Sequence, residues 1–393
     1  MVAGMFASAQ EVEFTKGEWK AVLERARKEK KHIMIDMYFT GCMPCAQMDK
    51  TTFKNPEVGK FMNENFINYK TDVMKEEDGM ELSTRFGSTG FPTYVFLTPD
   101  GYVVDVFSGY TSAENFIGYA RQAMKRTEAK DYMLFSNANN PAKLPEFYVE
   151  MIRSKGQKRD KAAAEKFLAE QKDLRNEAAY LVMVTSRLDL QSAQYLTKNA
   201  QQLAHDFGRV VIRNKMLDAA PIVGAEYIRQ KDFSGYEKNV LSAVRPVFTD
   251  KEWVRFGKIL CENFFRSARD VAGWVNYAQT SGLYDDQDKL ILVAQLLSLP
   301  DMDPAPVKGL LENSGIPPFE RNYTLALLNW KLGQKKEALA LLQNAANAAT
   351  SSGKTISSNE MDMAKKFMSA LENSDETYVP RPLNRVKPLS LGD

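Results

Sequence analysis

The period of apolar positions along the chain changes once. In the first third, short apolar runs typical of buried strands alternate with segments whose apolar residues recur at helical spacing. This pattern predicts strands at residues 32–39, 66–73, 93–97 and 102–107, and helices at 19–28, from 55 onward and at 112–125. The turn Pro99-Asp100-Gly101 should join the last two strands into a hairpin. Strands that alternate with helices indicate an α/β domain around a central sheet, which we place at residues 11–130.

Strand signals almost vanish beyond a loop-like segment at residues 137–145, and helical spacing dominates from there. The predicted helical runs are residues 162–171, 177–188, 196–206, 253–277, 287–297, 323–332 and 336–349. We therefore predict an all-α helical-array domain at residues 145–372. The segment 373–393 contains Pro380, Pro382 and Pro388 and should form an extended tail.

One helix–turn–helix in this second domain has a repeat-like pattern. Residues 328–339 read as a helix, a turn at Gly333 and a second helix, with Ala338 where two helices must approach closely. The segment resembles the core of a tetratricopeptide repeat, although its trailing proline is absent and no constant 34-residue period follows. Degenerate repeats and an ordinary irregular helical domain both stay open.

The first ten residues predict export. A short apolar run leads into Ala7-Ser8-Ala9, which matches the end of a secretory signal peptide and its cleavage site. The positively charged start of such a peptide is missing, so an uninformative N-terminus is the alternative. Export would place the protein in an oxidising compartment, which we predict to be a bacterial periplasm.

Composition narrows the functional classes. The chain has 52 Lys and Arg residues against 50 Asp and Glu residues, so a global positive charge for binding nucleic acid is lacking. No apolar run approaches the roughly 18 residues that a membrane span needs. With only His32 and His205, a histidine-rich metal site is hard to build. We expect no metal, no organic cofactor, no nucleic-acid partner and no membrane span.

Two of the three cysteines form a local pair, in the sequence Cys42-Met43-Pro44-Cys45. The pair follows a predicted buried strand and opens a helix, whose N–H groups and dipole favour a thiolate at the first position. The i, i+3 spacing puts both sulfurs on one helix face. We therefore predict a redox-active pair in which the more exposed Cys42 attacks and Cys45 resolves. A permanent structural disulfide stays open, whereas zinc would need a second pair of ligands.

The segments around this pair resemble the thioredoxin superfamily, most closely the thioredoxin-like domains akin to the C-terminal domain of the periplasmic disulfide reductase DsbD. The resemblance covers residues 33–125. The segments that carry it are Ile35-Asp36-Met37-Tyr38 before the cysteine pair, Thr52-Phe53-Lys54-Asn55-Pro56-Glu57-Val58, Lys70-Thr71-Asp72-Val73 and Gly90-Phe91-Pro92-Thr93. It implies an α/β thioredoxin-like domain followed by the helical-array domain.

The resemblance also implies roles for individual residues. Pro92 matches the cis-proline that faces the cysteine pair, and the backbone of Phe91 would bind a substrate strand. Met43 and Pro44 lie between the cysteines and are expected to contact the substrate. Two departures stand out, because Gly41 and Met43 replace the Trp and Gly of a typical thioredoxin. The loss of the Trp puts general thioredoxin-like substrate recognition in doubt.

Asp36 stands out without any resemblance, because it is a carboxylate inside an otherwise apolar strand. Burial would raise its pKa toward a range useful for proton transfer. The resemblance makes it a proton acceptor for Cys45 and makes Lys70 its ion-pair partner; a purely structural carboxylate is the alternative. Cys261, in an apolar helix, is expected to be a buried inert thiol, with a third redox partner as the alternative.

Together these features predict an enzyme, an exported thiol–disulfide oxidoreductase that reduces protein disulfides. Its partners would be disulfide-bonded proteins and a redox protein that donates electrons. An oxidase or isomerase is the alternative within this class. A different class also stays open, in which the helical domain is a protein-interaction scaffold and the thioredoxin-like domain a docking module.

Overall fold

A computed structural model describes residues 11–298, 305–312, 314–351 and 356–383. The described residues form two compact units: the first contains residues 11–227 and 234–260, and the second contains residues 228–233 and those from 261 onward. The predicted signal-peptide end and the last part of the predicted tail, including Pro388, lie outside the described residues.

The first unit contains a five-stranded mixed sheet. The strands are β1 (Phe14–Thr15), β2 (His32–Tyr38), β3 (Phe66–Asp72), β4 (Thr93–Leu97) and β5 (Val103–Ser108). Their order is β1-β3-β2-β4-β5, with β1, β3 and β2 parallel, and with β4 antiparallel to both β2 and β5. The four predicted strands and the hairpin are confirmed. The two-residue β1 is too short to leave a periodic signal.

Five helices accompany these strands. They are α1 (Trp19–Glu29), α2 (Met43–Lys50), α3 (Pro56–Asn65), α4 (Glu77–Phe86) and α5 (Ala113–Glu128). The predicted start of α3 is confirmed, because the Asn55 side chain accepts hydrogen bonds from two N–H groups of the first turn and Pro56 occupies the first helical position. Helix α4 was not predicted from the sequence.

An aromatic core fills the space between the sheet and α5. The rings of Phe53, Tyr94, Phe96 and Phe107 all lie within 6.1 Å of Phe116 on α5, and all five residues are almost fully buried. Packed rings of this size dominate the burial energy of a small domain. The core therefore stabilises the sheet that contains β2, the strand that leads into the cysteine pair.

Beyond Ser108, the described residues contain helices and no strand. The further helices are α6 (Glu146–Arg153), α7 (Lys161–Ala169), α8 (Glu177–Thr185), α9 (Leu190–Lys198), α10 (Ala200–Phe207), α11 (Arg209–Val223), α12 (Ala225–Gln230), α13 (Phe233–Tyr236), α14 (Ser242–Val244), α15 (Asp250–Ala268), α16 (Val271–Thr280), α17 (Asp286–Leu297), α18 (Ala305–Glu312), α19 (Pro318–Lys331), α20 (Lys335–Ser351) and α21 (Ser358–Glu372). A π-helical turn (Glu237–Leu241) and a 3₁₀ turn (Arg245–Val247) flank α14.

Two predicted helical runs are each divided in the structure. The run at 196–206 breaks at Asn199, between α9 and α10. The run at 253–277 breaks after α15, where Arg269 adopts a positive φ of 50° and the Asp270 side chain caps α16. The single-helix expectation was wrong at both places, because the apolar spacing continues across a turn that only backbone geometry reveals.

Within the first unit, α11 packs against the edge strand β5. Gly208 precedes the helix with a φ of +111°, and a Cβ there would lie 2.6 Å from the carbonyl oxygen of Val106. Val210, in the first turn of α11, joins the buried core of the sheet. The close approach therefore depends on a residue without a side chain.

A second aromatic cluster joins α4 to the helices of the same unit. Phe135 contacts the rings of Phe86, Tyr180 and Phe207, with centroid distances between 5.4 and 5.8 Å. Tyr180 and Phe207 also stack on each other at 4.1 Å. A domain that ended near residue 130 would leave this apolar face exposed. The helices that follow residue 130 cover it.

All regular secondary structure in the described part of the second unit is helical. Trp274 donates a hydrogen bond to the Tyr284 hydroxyl, which in turn donates to Glu262. Helices α19 and α20 form the predicted helix–turn–helix around Gly333, whose φ is +74°. The tail from Asn373 to Leu383 has no regular structure, and the carbonyl of Arg381 accepts a hydrogen bond from Tyr323.

The contact between α11 and β5 can be tested with two alanine substitutions. Gly17 has a similar φ of +118° but open space around its Cβ position, so Gly17→Ala adds backbone strain alone. Gly208→Ala adds the same strain and a collision with Val106, and should lower the free energy of unfolding by about 1–3 kcal/mol more. Urea unfolding of both variants measures the difference, and equal losses would contradict the proposed close packing.

Candidate functional site

Cys42 and Cys45 lie at the N-terminus of α2 and form a disulfide, with a Cα–Cα distance of 5.3 Å. Cys42 is the N-cap residue, and its sulfur accepts a hydrogen bond of 3.2 Å from the backbone N–H of Cys45. An N–H group aimed at a sulfur stabilises negative charge on it. Cys42 is 5% exposed and Cys45 3% exposed, so exposure alone separates them little in the disulfide state.

The loop between β2 and the cysteine pair is held by backbone geometry and hydrogen bonds. Gly41 has a φ of +97°, a conformation that a Trp would adopt only with strain, which explains one of the two departures in sequence. Thr40 donates through its N–H and its hydroxyl to Asp72, at 3.0 and 2.6 Å. The carbonyl of Phe39 accepts from the N–H of Cys42 at 3.1 Å.

The loop before β4 lies beside this first loop. The peptide bond between Phe91 and Pro92 is cis, as the resemblance implied. The ring of Phe91 contacts that of Phe39 edge to face at 5.4 Å, which ties the two loops together. The Pro92 carbonyl accepts from the N–H of Gly109, after β5.

Asp36 is buried in the middle of β2, 1% exposed. Within the described part of the chain, its Oδ1 has no hydrogen-bond partner, and neither has the hydroxyl of Tyr94, its register partner on β4. Burial raises the pKa of the Asp36 carboxyl to about 6, although the nearby Lys70 opposes the shift. A carboxyl with such a pKa can both hold and release a proton near neutral pH.

Lys70 connects Asp36 to the helix of the cysteine pair. It lies opposite Asp36 on β3, with its Nζ 3.0 Å from Asp36 Oδ2, and it also forms an ion pair with Asp49 on α2. Burial lowers the pKa of Lys70, but the two carboxylates raise it by more. The ammonium also lies 4.8 Å from the centre of the Tyr38 ring. Asp49 was not predicted as part of the site, because nothing local in the sequence marks its contact with Lys70.

Three residues were expected to contact a substrate, and the structure places two of them together. Pro44 and Phe91 both line a groove of about 750 Å³ in the first unit. The groove continues past the end of β5 and along α5 to the first turns of α11 and α15. Met43 lies beside the disulfide with 81% of its surface exposed.

The third cysteine and His205 do not belong to this cluster. Cys261 is buried in α15. His205 lies between Asp131 and Asp206, at 3.1 and 3.3 Å. In the parts of the chain that the structure describes, no group of three His, Cys, Asp or Glu side chains is placed to hold a metal ion. No described helix is long and apolar enough to cross a bilayer.

Comparison with known proteins identifies the fold around this site. Residues 19–124 match the family model described as a thioredoxin-like domain. These residues form a thioredoxin-like domain, and the described chain beyond it is helical, as the sequence predicted.

Among curated proteins, the chain is similar to human spermatogenesis-associated protein 20, with 30% identity over 82 residues. That match covers 20% of this chain and 10% of the human protein. It is also similar to the thiol:disulfide interchange protein DsbD of Pseudomonas fluorescens, with 29% identity over 84 residues, or 21% of this chain and 14% of DsbD. The chain thus spans about a tenth to a seventh of the length of these relatives.

Among solved structures, the oxidised C-terminal domain of DsbD from Neisseria meningitidis is similar, with 26% sequence identity and a TM-score of 0.25. The match covers 28% of this chain and 98% of that domain.

The raised pKa of Asp36 makes a prediction about stability and pH. A carboxyl whose pKa rises from 3.8 to about 6 on folding favours the fold when protonated, and this contribution is lost as the pH rises through 6. Asp36→Asn removes the titration. The free energy of unfolding of the variant should therefore rise by about 2 kcal/mol relative to that of the wild type between pH 4 and pH 7. Urea unfolding at several pH values measures this, and a constant difference between the two proteins would contradict the buried, raised carboxyl.

Proposed function

We propose that the protein is an exported thiol–disulfide oxidoreductase that reduces disulfides in polypeptides. One observation carries the proposal: the Cys42–Cys45 disulfide lies at the N-terminus of α2 in a thioredoxin-like domain, beside the cis-Pro92 loop. The buried carboxyl of Asp36 and the groove beside Phe91 support the proposal, because the reaction also needs a proton acceptor and a place for a substrate chain.

The reaction starts from the reduced pair. The Cys42 thiolate attacks one sulfur of the substrate disulfide, so that a bond forms between Cys42 and the substrate and the other substrate sulfur leaves as a thiolate. Cys45 then loses its proton and attacks Cys42 Sγ, which releases the second substrate thiolate and closes the Cys42–Cys45 disulfide. Two electrons pass from the protein to the substrate, and solvent protonates the released thiolates.

Asp36 is proposed to accept the proton of Cys45. At neutral pH a carboxyl with a pKa near 6 is mostly ionised, yet it is basic enough to take up a proton. Lys70 would stabilise the ionised form before the transfer, since its ammonium lies 3.0 Å from Oδ2. Phe91 is proposed to bind the substrate backbone, with Met43 and Pro44 in contact with the substrate side chains.

The direction, the electron donor and the location are parts of the proposal. Each cycle leaves the pair oxidised, so a dithiol redox protein must reduce it again. The resemblance to the C-terminal domain of the periplasmic disulfide reductase DsbD favours reduction and a periplasmic location, and the Ala7-Ser8-Ala9 pattern favours export.

Stoichiometric reduction of insulin by the pre-reduced full-length chain tests the activity. One equivalent of protein should reduce about one disulfide, because Cys42 and Cys45 supply two electrons. Cys42→Ser should abolish the reaction. Cys261→Ala, which removes the buried third cysteine, should retain it. Insulin that stays oxidised with the wild-type protein would instead favour the helical scaffold with a docking module.

The role of Asp36 is tested in the second step. Asp36→Asn should slow the release of substrate from the mixed disulfide roughly 100-fold while the first attack by Cys42 changes little. Asp105→Asn is the matched control, because Asp105 is a carboxyl on β5 whose pKa burial also raises to about 6. Rapid-quench mass spectrometry follows the mixed disulfide. If both variants resolve it at the wild-type rate, Asp36 is purely structural.

A further inference from the structure

The groove beside the disulfide has a cationic far wall. Arg209 and Arg213, on α11, and Lys251 and Arg255, on α15, all line it, and among the residues that the structure describes no carboxylate does. The near end is formed by Pro44 and Phe91, at the cysteine pair and the cis-Pro92 loop. A substrate polypeptide that enters at the disulfide and follows the groove therefore meets four positively charged side chains.

A buried carboxylate fixes part of this wall. Glu252, 4% exposed, receives two hydrogen bonds from Arg209, at 2.5 and 3.1 Å, and a further one from Arg213. Burial raises the pKa of Glu252, but the arginines and a backbone N–H lower it by more, to about 2. Such bidentate pairs hold guanidinium groups in a defined orientation. These hydrogen bonds hold the first turns of α11 and α15 together along the groove.

The groove suits a short stretch of extended polypeptide. Four residues on one face of α5 line it (Asn115, Gly118, Tyr119 and Gln122), and they span about 10 Å at 1.5 Å per residue. An extended chain advances about 3.3 Å per residue, so the face matches about three residues. Gly118 leaves space over this face of α5, since even a Cβ at that position would meet nothing within 4 Å.

We propose that this groove selects substrates with an acidic segment next to the reactive disulfide. The inference rests on the proposed function, because the polypeptide enters the groove from the cysteine pair. The helices that follow the thioredoxin-like domain supply the selectivity, since α11 and α15 carry all four cations. Charge complementarity raises the rate of encounter with acidic segments and is screened by salt.

The test uses pre-reduced full-length protein in single turnover, with no added reductant. The probes are three peptides with the same intrachain disulfide, flanked on both sides by three Glu, three Gln or three Lys residues. At low salt the Glu peptide should be reduced roughly tenfold faster than the Gln peptide, and the Lys peptide more slowly. In 1 M salt the three rates should converge.

The variant Lys251→Gln/Arg255→Gln should reduce the ratio of Glu-peptide to Gln-peptide rates at least threefold. These two cations are chosen because loss of Arg209 or Arg213 would remove an ion-pair partner of the buried Glu252 carboxylate and so destabilise the fold. The matched control Lys172→Gln/Lys198→Gln removes two exposed lysines of the same unit outside the groove, and it should keep the wild-type ratio.

Three outcomes would overturn the proposal. The first is a wild-type ratio near one while the Gln peptide is reduced. The second is a ratio that the Lys251→Gln/Arg255→Gln variant leaves unchanged. The third is faster reduction of glutathione disulfide than of the Glu peptide, with the same dependence on these cations, which would assign the groove to a small anionic thiol. No reduction of any probe would contradict the proposed function itself, and this proposal with it.

Discussion

Strand β2 is buried from Ile33 to Met37 and pairs on both edges, with β3 and with β4. Because strand side chains alternate between faces, a shift of one residue would turn every one of them to the wrong side, so burial on this scale fixes the register. The register sets Asp36 opposite Lys70 and Tyr94. It also brings the loop that follows β2, with the cysteine pair, beside the loop that precedes β4, with Pro92.

A carboxyl in that strand is costly for folding, and the structure compensates for it only in part. Lys70 reaches one oxygen of Asp36, while the other has no partner within the described residues. The same lysine pairs with Asp49 on α2, so one ammonium links the central strand to the helix that carries both cysteines. The group that raises the cost of folding is therefore also a group whose pKa, raised to about 6, lies in the range of proton exchange near neutral pH.

The sequence predicted the features that short segments determine. The cysteine pair at a helix start, the cap at Asn55 and the hairpin between β4 and β5 all depend on neighbouring residues. The cis bond at Pro92 was implied by the resemblance to the thioredoxin superfamily. The sequence could not predict the groove, because α11 reaches β5 across about a hundred residues of chain. Gly208, which permits that contact, looks like any loop glycine in the sequence. The pairing of Glu252 with Arg209 also spans 43 residues of sequence and leaves no local pattern.

The central claim is that Cys42 is the sulfur that attacks a substrate disulfide and that Cys45 releases it. The most direct measurement is mass-spectrometric mapping of the adduct that the reduced Cys45→Ala protein forms with a disulfide-bonded polypeptide. The account predicts a stable mixed disulfide at Cys42, because the residue that resolves it is gone. An adduct at Cys261, or none at Cys42 under conditions in which the polypeptide reacts with a small dithiol, would contradict it.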